Sequence, residues 1–363
     1  MTISALLDRW GDGAVLALAG AGVGLAFGAF AQHSKFCLRA SVIEFAYGTL
    51  GPRLAIWVLA FSAGLVATQS AILMHILDVS EVRQLATRGS MSGAIIGGLM
   101  FGAGMVLSRG CASRLLVLSA TGNLRSLVSG LILTIVAQAS LRGILSPVRE
   151  ALAALWTIEG GDARNVLALL HAGPRFGLVF GVVCLGIGIA IARHNANKTM
   201  EVLAAIGVGL AVAVGWILTY QLSTVSFEAS KITSITLTGP SADTLMGLIN
   251  SRSVPLGFDV GLVPGIFLGS MIAALLTRQF KLQGFEGGPS MLRYITGACL
   301  MGFGGMLAGG CSVGAGISGT SIFALTAWTA LTAMWIGAAA MDYAWDGRDT
   351  SASLPAKAKP PGI

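Results

Sequence analysis

A glycine-rich segment of 21 residues occurs twice in this chain, 200 residues apart, and each copy ends in Gly-Cys. Residues 91–111 form the first copy and residues 291–311 form the second. The identical pairs are Met91/Met291, Ile95/Ile295, Gly97/Gly297, Gly102/Gly302, Gly104/Gly304, Leu107/Leu307, Gly110/Gly310 and Cys111/Cys311. A duplicated membrane segment is typical of a transporter or channel built from two related halves. We therefore expect the thiols to be part of the duplicated unit.

The composition excludes an ordinary soluble domain. The chain is 55% hydrophobic and 11% charged, and its mean hydropathy is +0.80, whereas soluble domains carry about 25% charged residues. The 50 glycines favour the close helix contacts found in lipid. This predicts an all-α polytopic membrane protein. The net charge of +7 is explained by basic loops that orient membrane helices, so it does not indicate nucleic-acid binding.

Nine stretches have the length and apolar character of membrane-spanning helices. They cover residues 13–31, 54–77, 90–108, 124–141, 174–193, 200–219, 257–277, 290–308 and 324–343. Four segments between them, 36–48, 112–121, 225–250 and 312–322, are too short or too rich in glycine to cross. Backbone breaks at membrane depth only where it is buried in protein or lines a cavity. We therefore expect these four segments to be short re-entrant helices.

The order of these elements divides the chain into five parts. Residues 1–12 lack the basic region of a secretory signal, so the first span should be retained. Residues 13–173 form a first half that ends in a polar connector, 174–199 a linking span, and 200–345 a second half. Residues 346–363 are rich in Ser, Ala, Lys and Pro, which predicts a disordered tail.

A shorter repeat supports two halves of opposite orientation. The sequence GVGLA occurs at 22–26 and again at 207–211, each time in the span that opens a half. Because one extra span separates the halves, the second half should enter from the opposite face, which gives an inverted pseudo-twofold repeat. Cys37 and Cys111 should then approach the interior from one side and Cys311 from the other. The three thiols would lie along a path through the membrane.

The first Gly-Cys copy has the features of an anion site. A short helix that begins at Gly110-Cys111 would point free backbone N–H groups into the protein, and Arg109 and Arg114 lie beside it. Helix N-termini attract anions through these groups and the helix dipole. The second copy offers Gly310, Cys311 and Ser312 without the arginines. The alternative is structural: the glycines permit a tight turn and the cysteines are small buried hydrophobes.

Two further segments complete the candidate path. Cys37 lies between Lys35 and Arg39, which indicates an anion-attracting mouth or, alternatively, an ordinary interfacial basic cluster. Its counterpart in the second half, residues 233–244, has hydroxyls such as that of Thr238 and a Gly239-Pro240 break but no thiol. Its hydroxyls could contact substrate oxygens or only satisfy a broken backbone. We interpret Cys184 and Cys299 as packing residues, because their neighbours within spans are apolar.

The motifs together resemble those of the YeeE/YedE family of bacterial membrane proteins, which includes thiosulfate uptake transporters. FGAFAQHSKFCLRA at 27–40, the two G-x-G-x-x-L-x-x-G-C copies and SITLTGPSADT at 234–244 carry the resemblance, which extends over about residues 13–343. It implies nine spanning helices with short re-entrant ones in an hourglass-shaped pseudo-symmetric monomer of the bacterial inner membrane. It also implies that Cys37, Cys111 and Cys311 pass thiosulfate inward. Some family members act beside a TusA-like sulfur-carrier protein, and others are linked to selenium or other sulfur compounds.

Three mechanisms remain open at this stage. In the first, neutral S–H groups donate weak hydrogen bonds to a passing anion, which suits transit because a permeation site must release what it binds. In the second, the protein is a membrane sulfurtransferase in which a cysteine carries a persulfide, helped by Arg109, Arg114 or Lys35. In the third, the thiols are silent in a structural or channel-like protein. We expect no metal, cofactor or nucleic acid, and a cytoplasmic C-terminus.

Overall fold

The computed structural model describes residues 10–226, 231–250, 256–284 and 288–345. Within these ranges the strands are β1 (Gly89–Ser90) and β2 (Thr157–Ile158), which pair antiparallel. Almost all other regular structure is helical, so the all-α prediction is confirmed. The predicted tail at 346–363 and most of the N-terminal segment lie outside the described residues.

The described α-helices include nine long ones joined by shorter ones. They are α1 (Asp12–Ser34), α2 (Leu38–Ala46), α3 (Pro52–Leu73), α4 (Arg83–Ala86), α5 (Met91–Leu107), α6 (Ala112–Ala120), α7 (Leu124–Arg142), α8 (Ser146–Ala154), α9 (Val166–Leu169), α10 (Pro174–His194), α11 (Thr199–Val225), α12 (Thr238–Asn250), α13 (Phe258–Leu276), α14 (Gly288–Leu307) and α15 (Leu325–Trp345). A 3₁₀-helix covers Gly161–Arg164 and a π-helix covers Gly314–Gly319. Each predicted span thus corresponds to one long helix.

Seven stretches of the described chain are long and apolar enough to cross a membrane. They are Asp12–Ala46, Pro52–Leu73, Met91–Ala120, Leu124–Arg142, Pro174–His194, Thr199–Val225 and Phe258–Leu276. A polytopic membrane protein is therefore confirmed. The predicted spans at 290–308 and 324–343 are helical as α14 and α15 but are not among the seven, so the count of nine stays a prediction.

The four segments predicted to be too short to cross all contain short helices. Three of them hold α2, α6 and α12, and the fourth holds the π-helix. The segment predicted at 225–250 differs in its first part, because α11 continues to Val225 and residues 231–237 have no regular secondary structure before α12 begins. Residues 227–230 of that segment lie outside the described ranges. The re-entrant character of these helices remains a prediction.

Helices α5 and α14, which contain the two copies of the glycine-rich segment, run antiparallel in close contact. A Cβ atom added to Gly97 would lie 2.5 Å from the carbonyl oxygen of Gly304, and one added to Gly104 would lie 2.6 Å from that of Gly297. Real side chains do not approach backbone so closely. Glycine at these positions therefore allows the two backbones to touch, as small residues do in membrane helix pairs.

The remaining long helices pair in a regular pattern. Helices α1 and α13 run parallel, with Gly20 against Phe258 and Gly28 against Ile266. Their predicted counterparts, α11 and α3, also pack together, and so do α5 with α15 and α14 with α7. Each contact between a helix of the first half and a helix of the second half therefore recurs between the two helices that correspond to them. The packing thus follows the order of elements in both halves.

The connector between the halves is anchored by a buried arginine. Arg164 is 5% exposed; its guanidinium donates to the carbonyl of Thr87 at 2.5 Å and to the Thr326 hydroxyl at 2.8 Å. Burial, together with nearby Arg83, lowers the pKa of Arg164 to about 10. The connector is therefore tied both to the loop before α5 and to the start of α15.

Candidate functional site

Cys37 is the residue at which the chain leaves α1 and starts α2. Lys35 ends α1 in the left-handed conformation with φ 54°, and the Phe36 amide donates to the Ala31 carbonyl at 3.2 Å. This is the closure of a Schellman motif, which satisfies the last carbonyls of a helix. Cys37 is extended (φ −162°) and its carbonyl accepts from the Ser41 amide at 3.4 Å. Its thiol is thus held at the N-terminus of α2.

Cys111 occupies the same position between α5 and α6. Arg109 is left-handed with φ 55°, and the Gly110 amide donates to the Met105 carbonyl at 3.0 Å. Cys111 is the N-cap residue of α6, and its carbonyl accepts from the Leu115 amide at 2.9 Å. The two thiols therefore terminate equivalent turns, although the residue in the left-handed conformation is not glycine in either.

Cys311 follows a third turn of this kind. Gly309 has φ 78°, and the Gly310 amide donates to the Gly305 carbonyl at 2.9 Å. The Cys311 carbonyl accepts from the Ala315 amide at 2.8 Å, and its sulfur accepts from the Gly314 amide at 3.5 Å. The chain continues into the π-helix instead of an α-helix. Cys111 and Cys311 are both fully buried, and Cys37 is partly buried.

The fourth position, at the start of α12, has no thiol. Leu237 stands where the other turns have cysteine, and its carbonyl accepts from the Ser241 amide at 3.0 Å. The irregular residues before it are held by buried hydroxyls: Ser234 donates to the Val212 carbonyl at 2.6 Å and Ser318 to the Ile235 carbonyl at 2.7 Å. The chemical asymmetry expected from the sequence is therefore present in the structure.

Three of these turns meet around the Cys111 sulfur. The Cys37 thiol is its neighbour and interacts with it directly. The Ser113 hydroxyl lies 3.2 Å from the Cys111 sulfur, and the Ser312 hydroxyl is a further neighbour. Ser312 is the residue after Cys311, so the turns of both halves converge here. Cys37 and Cys111, which the sequence predicts to approach from the same side, lie together, and the path through the three thiols stays a prediction.

Three buried polar atoms around the Cys111 and Cys311 turns have no hydrogen-bond partner within the described residues. They are the hydroxyls of Ser312 and Thr238 and one terminal nitrogen, Nη1, of Arg114. Ser312 lies beside the Cys111 sulfur without a well-aligned hydrogen bond, and Thr238 packs against Gly305 just before the Cys311 turn. An unpaired buried donor costs about 1–3 kcal/mol. Such donors indicate room for an acceptor that the protein itself does not provide.

The predicted basic residues differ in their positions. Arg114 is partly buried and interacts with both Cys37 and Cys111. Lys35 points to Glu201, with its ammonium 3.8 Å from the carboxylate, and Arg109 is exposed. Arg39 is partly buried on the first turn of α2. Of these four, Arg114 is the residue that the structure brings to both thiols.

The predicted glycines also differ in their surroundings. Gly110 and Gly310 are buried in their turns. A Cβ on Gly110 would make ordinary contact with Leu115 at 3.5 Å, and one on Gly310 would lie 3.0 Å from the Ala315 amide. A Cβ on Gly239 would meet nothing within 4 Å. Steric need for glycine is therefore strongest at the Cys311 turn.

Sequence reasoning missed two residues beside Cys37. The buried Ser41 hydroxyl donates to the Cys37 carbonyl at 3.0 Å and to the Arg53 carbonyl at 2.9 Å. Arg53, on the first turn of α3, also interacts electrostatically with Arg114. A basic residue at the start of a span resembles an interfacial anchor, so its sequence position gave no signal. Among the described residues, no group of three or more His, Cys, Asp or Glu could hold a metal ion.

Comparison with known proteins matches most of the chain to sulphur transport proteins. A family model described as sulphur transport matches residues 33–340. The thiosulfate transporter TsuA of Escherichia coli (strain K12) is 25% identical over 261 residues, which cover 68% of this chain and 72% of that protein. TsuA of Spirochaeta thermophila is 26% identical over 331 residues, covering 85% of this chain and 92% of the relative.

Proposed function

We propose, from the premise that this chain belongs to the sulphur transport family, that it takes up thiosulfate, or a related inorganic sulfur anion, across the bacterial cytoplasmic membrane. Two relatives of similar length are named thiosulfate transporters. The substrate path runs past Cys37, Cys111 and Cys311. The observation that carries this path is the unpaired Ser312 hydroxyl beside the Cys111 sulfur, together with the unpaired Nη1 of Arg114, which interacts with both Cys37 and Cys111.

The path belongs to a fold of nine spans and four short re-entrant helices related by an inverted repeat. The contact of α1 with α13 and that of α11 with α3 support this repeat, because α11 corresponds to α1 and α3 corresponds to α13. The reciprocal glycine contacts between α5 and α14 support it as well. In such a fold both Gly-Cys turns reach the same central point from opposite faces.

A thiosulfate dianion needs compensation for the water that it loses in this interior. Transfer of an uncompensated charge into a low-dielectric medium costs several kcal/mol at least. The N-termini of α2 and α6, the Ser312 and Thr238 hydroxyls and the Arg114 guanidinium supply donors there. Most of these groups are neutral, so they lower the cost of entry without trapping the ion.

The thiols act in this account as neutral, weak donors. A protonated Cys111 can donate S–H to a thiosulfate oxygen or sulfur, and the adjacent Cys37 thiol can take over the contact as the ion moves. Weak donors bind and release readily, whereas a thiolate would repel the dianion. The family and the named relatives are transporters, which favours passage over the alternative of a persulfide-forming sulfurtransferase.

The distribution of basic residues in the loops favours a cytoplasmic C-terminus, and the family resemblance favours a sulfur-carrier partner. The C-terminus lies on the cytoplasmic side, and a TusA-like sulfur carrier accepts the imported sulfur there. The chemistry proposed for the path depends neither on the sulfur carrier nor on the orientation of the protein in the membrane.

Growth on a single sulfur source tests the function. A bacterium without its own sulfate and thiosulfate uptake should grow on thiosulfate when it expresses this chain. Failure to grow, with the protein present in the membrane, would exclude thiosulfate as substrate. Growth only on another sulfur compound, or selenium incorporation from a selenium analogue, would instead redirect the assignment to that anion.

A further inference from the structure

We propose that Glu44 is a positioning residue of the substrate path: its carboxylate fastens the end of α2 to the first turn of α3 and so keeps the Cys37 thiol in place. The inference rests on the proposed function and deepens it, because it names what holds one of the three thiols. Glu44 does not touch the substrate in this account. It acts through the short helix that begins after Cys37.

Helix α2 is too short to fix its own orientation. It has nine residues, and the stability of so short a helix comes mainly from packing against other elements. Its last residues, Phe45 and Ala46, are exposed. The direction of α2, and with it the position of the thiol at its start, must therefore be set by bonds to its neighbours.

Two side chains on one face of α2 bind the start of α3. The Ser41 hydroxyl donates to the Arg53 carbonyl at 2.9 Å, and the Glu44 carboxylate accepts from the Leu54 amide at 2.8 Å. Residues three apart lie on the same face of a helix, so both bonds form along one side of α2. The Leu54 amide is one of the donors that a helix start leaves without a partner in the helix. The carboxylate satisfies it and complements the positive end of the α3 dipole.

The start of α3 leaves space for this carboxylate. Gly51 is the N-cap residue of α3, and a Cβ added to it would overlap the Glu44 carboxylate. Gly173 is the N-cap residue of α10 and is also followed by proline, with φ −85° and ψ 176° against φ −83° and ψ 176° at Gly51. A Cβ on Gly173 would meet nothing within 4 Å. The two positions therefore differ in one respect, which is that the carboxylate occupies the side-chain space of Gly51.

The consequence for transport lies at the opposite end of α2. Ser41 binds α3 near the start of α2 and Glu44 binds it near the end. Ser41 also donates to the Cys37 carbonyl at 3.0 Å. Two attachment points fix the direction of a rod, whereas a single one allows it to pivot. Loss of the Glu44 bond should therefore let α2 pivot about Ser41 and draw the Cys37 thiol away from the core against which it packs.

Alkylation of Cys37 by N-ethylmaleimide in the purified full-length protein, followed by mass spectrometry of its peptide, tests the position of the thiol without transport. We expect Glu44→Ala and Gly51→Ala to raise the alkylation rate about fivefold, because both remove the carboxylate from the Leu54 amide. Glu44→Gln keeps an oxygen that accepts the same bond, and Gly173→Ala leaves the bond untouched. These two variants should react as wild type does.

Initial uptake of labelled thiosulfate into liposomes is the second measurement. At thiosulfate concentrations well below KM, Glu44→Ala and Gly51→Ala should take up the ion about fivefold more slowly than wild type. Glu44→Gln and Gly173→Ala should stay within about twofold of it. Gly51→Ala displaces only the end of a flexible side chain, so its melting temperature should remain close to that of wild type, which separates positioning from loss of the fold.

Two results would overturn the inference while leaving the proposed function intact. One is an unchanged alkylation rate of Cys37 in both Glu44→Ala and Gly51→Ala. The other is a Glu44→Gln variant as impaired as Glu44→Ala, which would give the charge of the carboxylate a role of its own. If wild type takes up no thiosulfate, the proposed function fails, and the alkylation rates still decide whether Glu44 holds Cys37.

Discussion

Gly97 and Gly304 touch through their backbones, and each would clash with the other if either carried a side chain. A Cβ on Gly97 would lie 2.5 Å from the Gly304 carbonyl oxygen, and a Cβ on Gly304 would lie 2.7 Å from that of Gly97. Gly104 and Gly297, the equivalent pair from the two copies, show the same reciprocal contact at 2.6 Å in both directions. The repeated segment is therefore its own partner, in the manner of a self-complementary twofold interface.

This contact predicts that a single methyl group on Gly97 destabilises the protein. Gly97→Ala places Cβ against backbone that cannot rotate away, so α5 and α14 must separate, at a cost of about 1–3 kcal/mol or more. The melting temperature of the purified protein in detergent measures the effect. Gly186→Ala on α10, where an added Cβ meets nothing within 4 Å, is the control and should melt at or above the wild-type temperature. Equal behaviour of the two variants would refute the close contact.

The unpaired hydroxyls predict a separation between stability and transport. Ser312→Ala and Thr238→Val remove buried hydroxyls that have no partner within the described part of the protein. Their loss should leave stability unchanged or slightly improved, while thiosulfate uptake falls several-fold because the anion loses donors. Melting curves and initial uptake rates on the same preparations provide the two measurements.

Ser318→Ala is the control for this separation. Its hydroxyl already donates to the Ile235 carbonyl at 2.7 Å, so the variant should lose about 1–2 kcal/mol of stability. If Ser312→Ala lost stability as Ser318→Ala does, its hydroxyl would have a structural partner and the proposed substrate donor would be wrong.

Arg164 predicts a dependence of stability on high pH. The pKa of Arg164 is about 10 in the folded protein, below its usual value, so the unfolded chain holds this proton at pH values where the folded chain has lost it. Stability should therefore rise with pH above about 10 relative to a variant without the group. Arg164→Met should melt lower than wild type at pH 8, because the Thr87 and Thr326 acceptors lose their donor. The gap between the two melting temperatures should widen above pH 10, and a constant gap would contradict the buried charge.

The sequence was sufficient to predict the helices but not that their turns converge at the Cys111 sulfur. Apolar length and glycine placement located each long helix, although α11 continues to Val225 beyond its predicted end at 219, since apolar length and turn chemistry are local properties. Glycine adopts the left-handed conformation readily, so a left-handed Gly309 is expected, whereas Lys35 and Arg109 adopt that conformation although they are not glycine. In the sequence these two turns could be recognised only by the cysteines that follow them, Cys37 and Cys111.

The arrangement around Cys111 depends on contacts that are distant in sequence. Ser312 reaches the Cys111 sulfur only because α5 and α14 pack antiparallel. Such relations are set by helix packing, which local patterns do not encode. The candidate residues could therefore be named from the sequence, whereas the contacts between them could not.

The central claim is that thiosulfate passes the Cys111 thiol, and initial uptake rates in liposomes test it most directly. Wild type, Cys111→Ser and Cys184→Ser, whose cysteine lies partly exposed on α10, should be compared at equal protein density. The account predicts a loss of about tenfold or more for Cys111→Ser and near wild-type rates for Cys184→Ser. Equal, wild-type rates in both variants would leave transport standing and would contradict the thiol path.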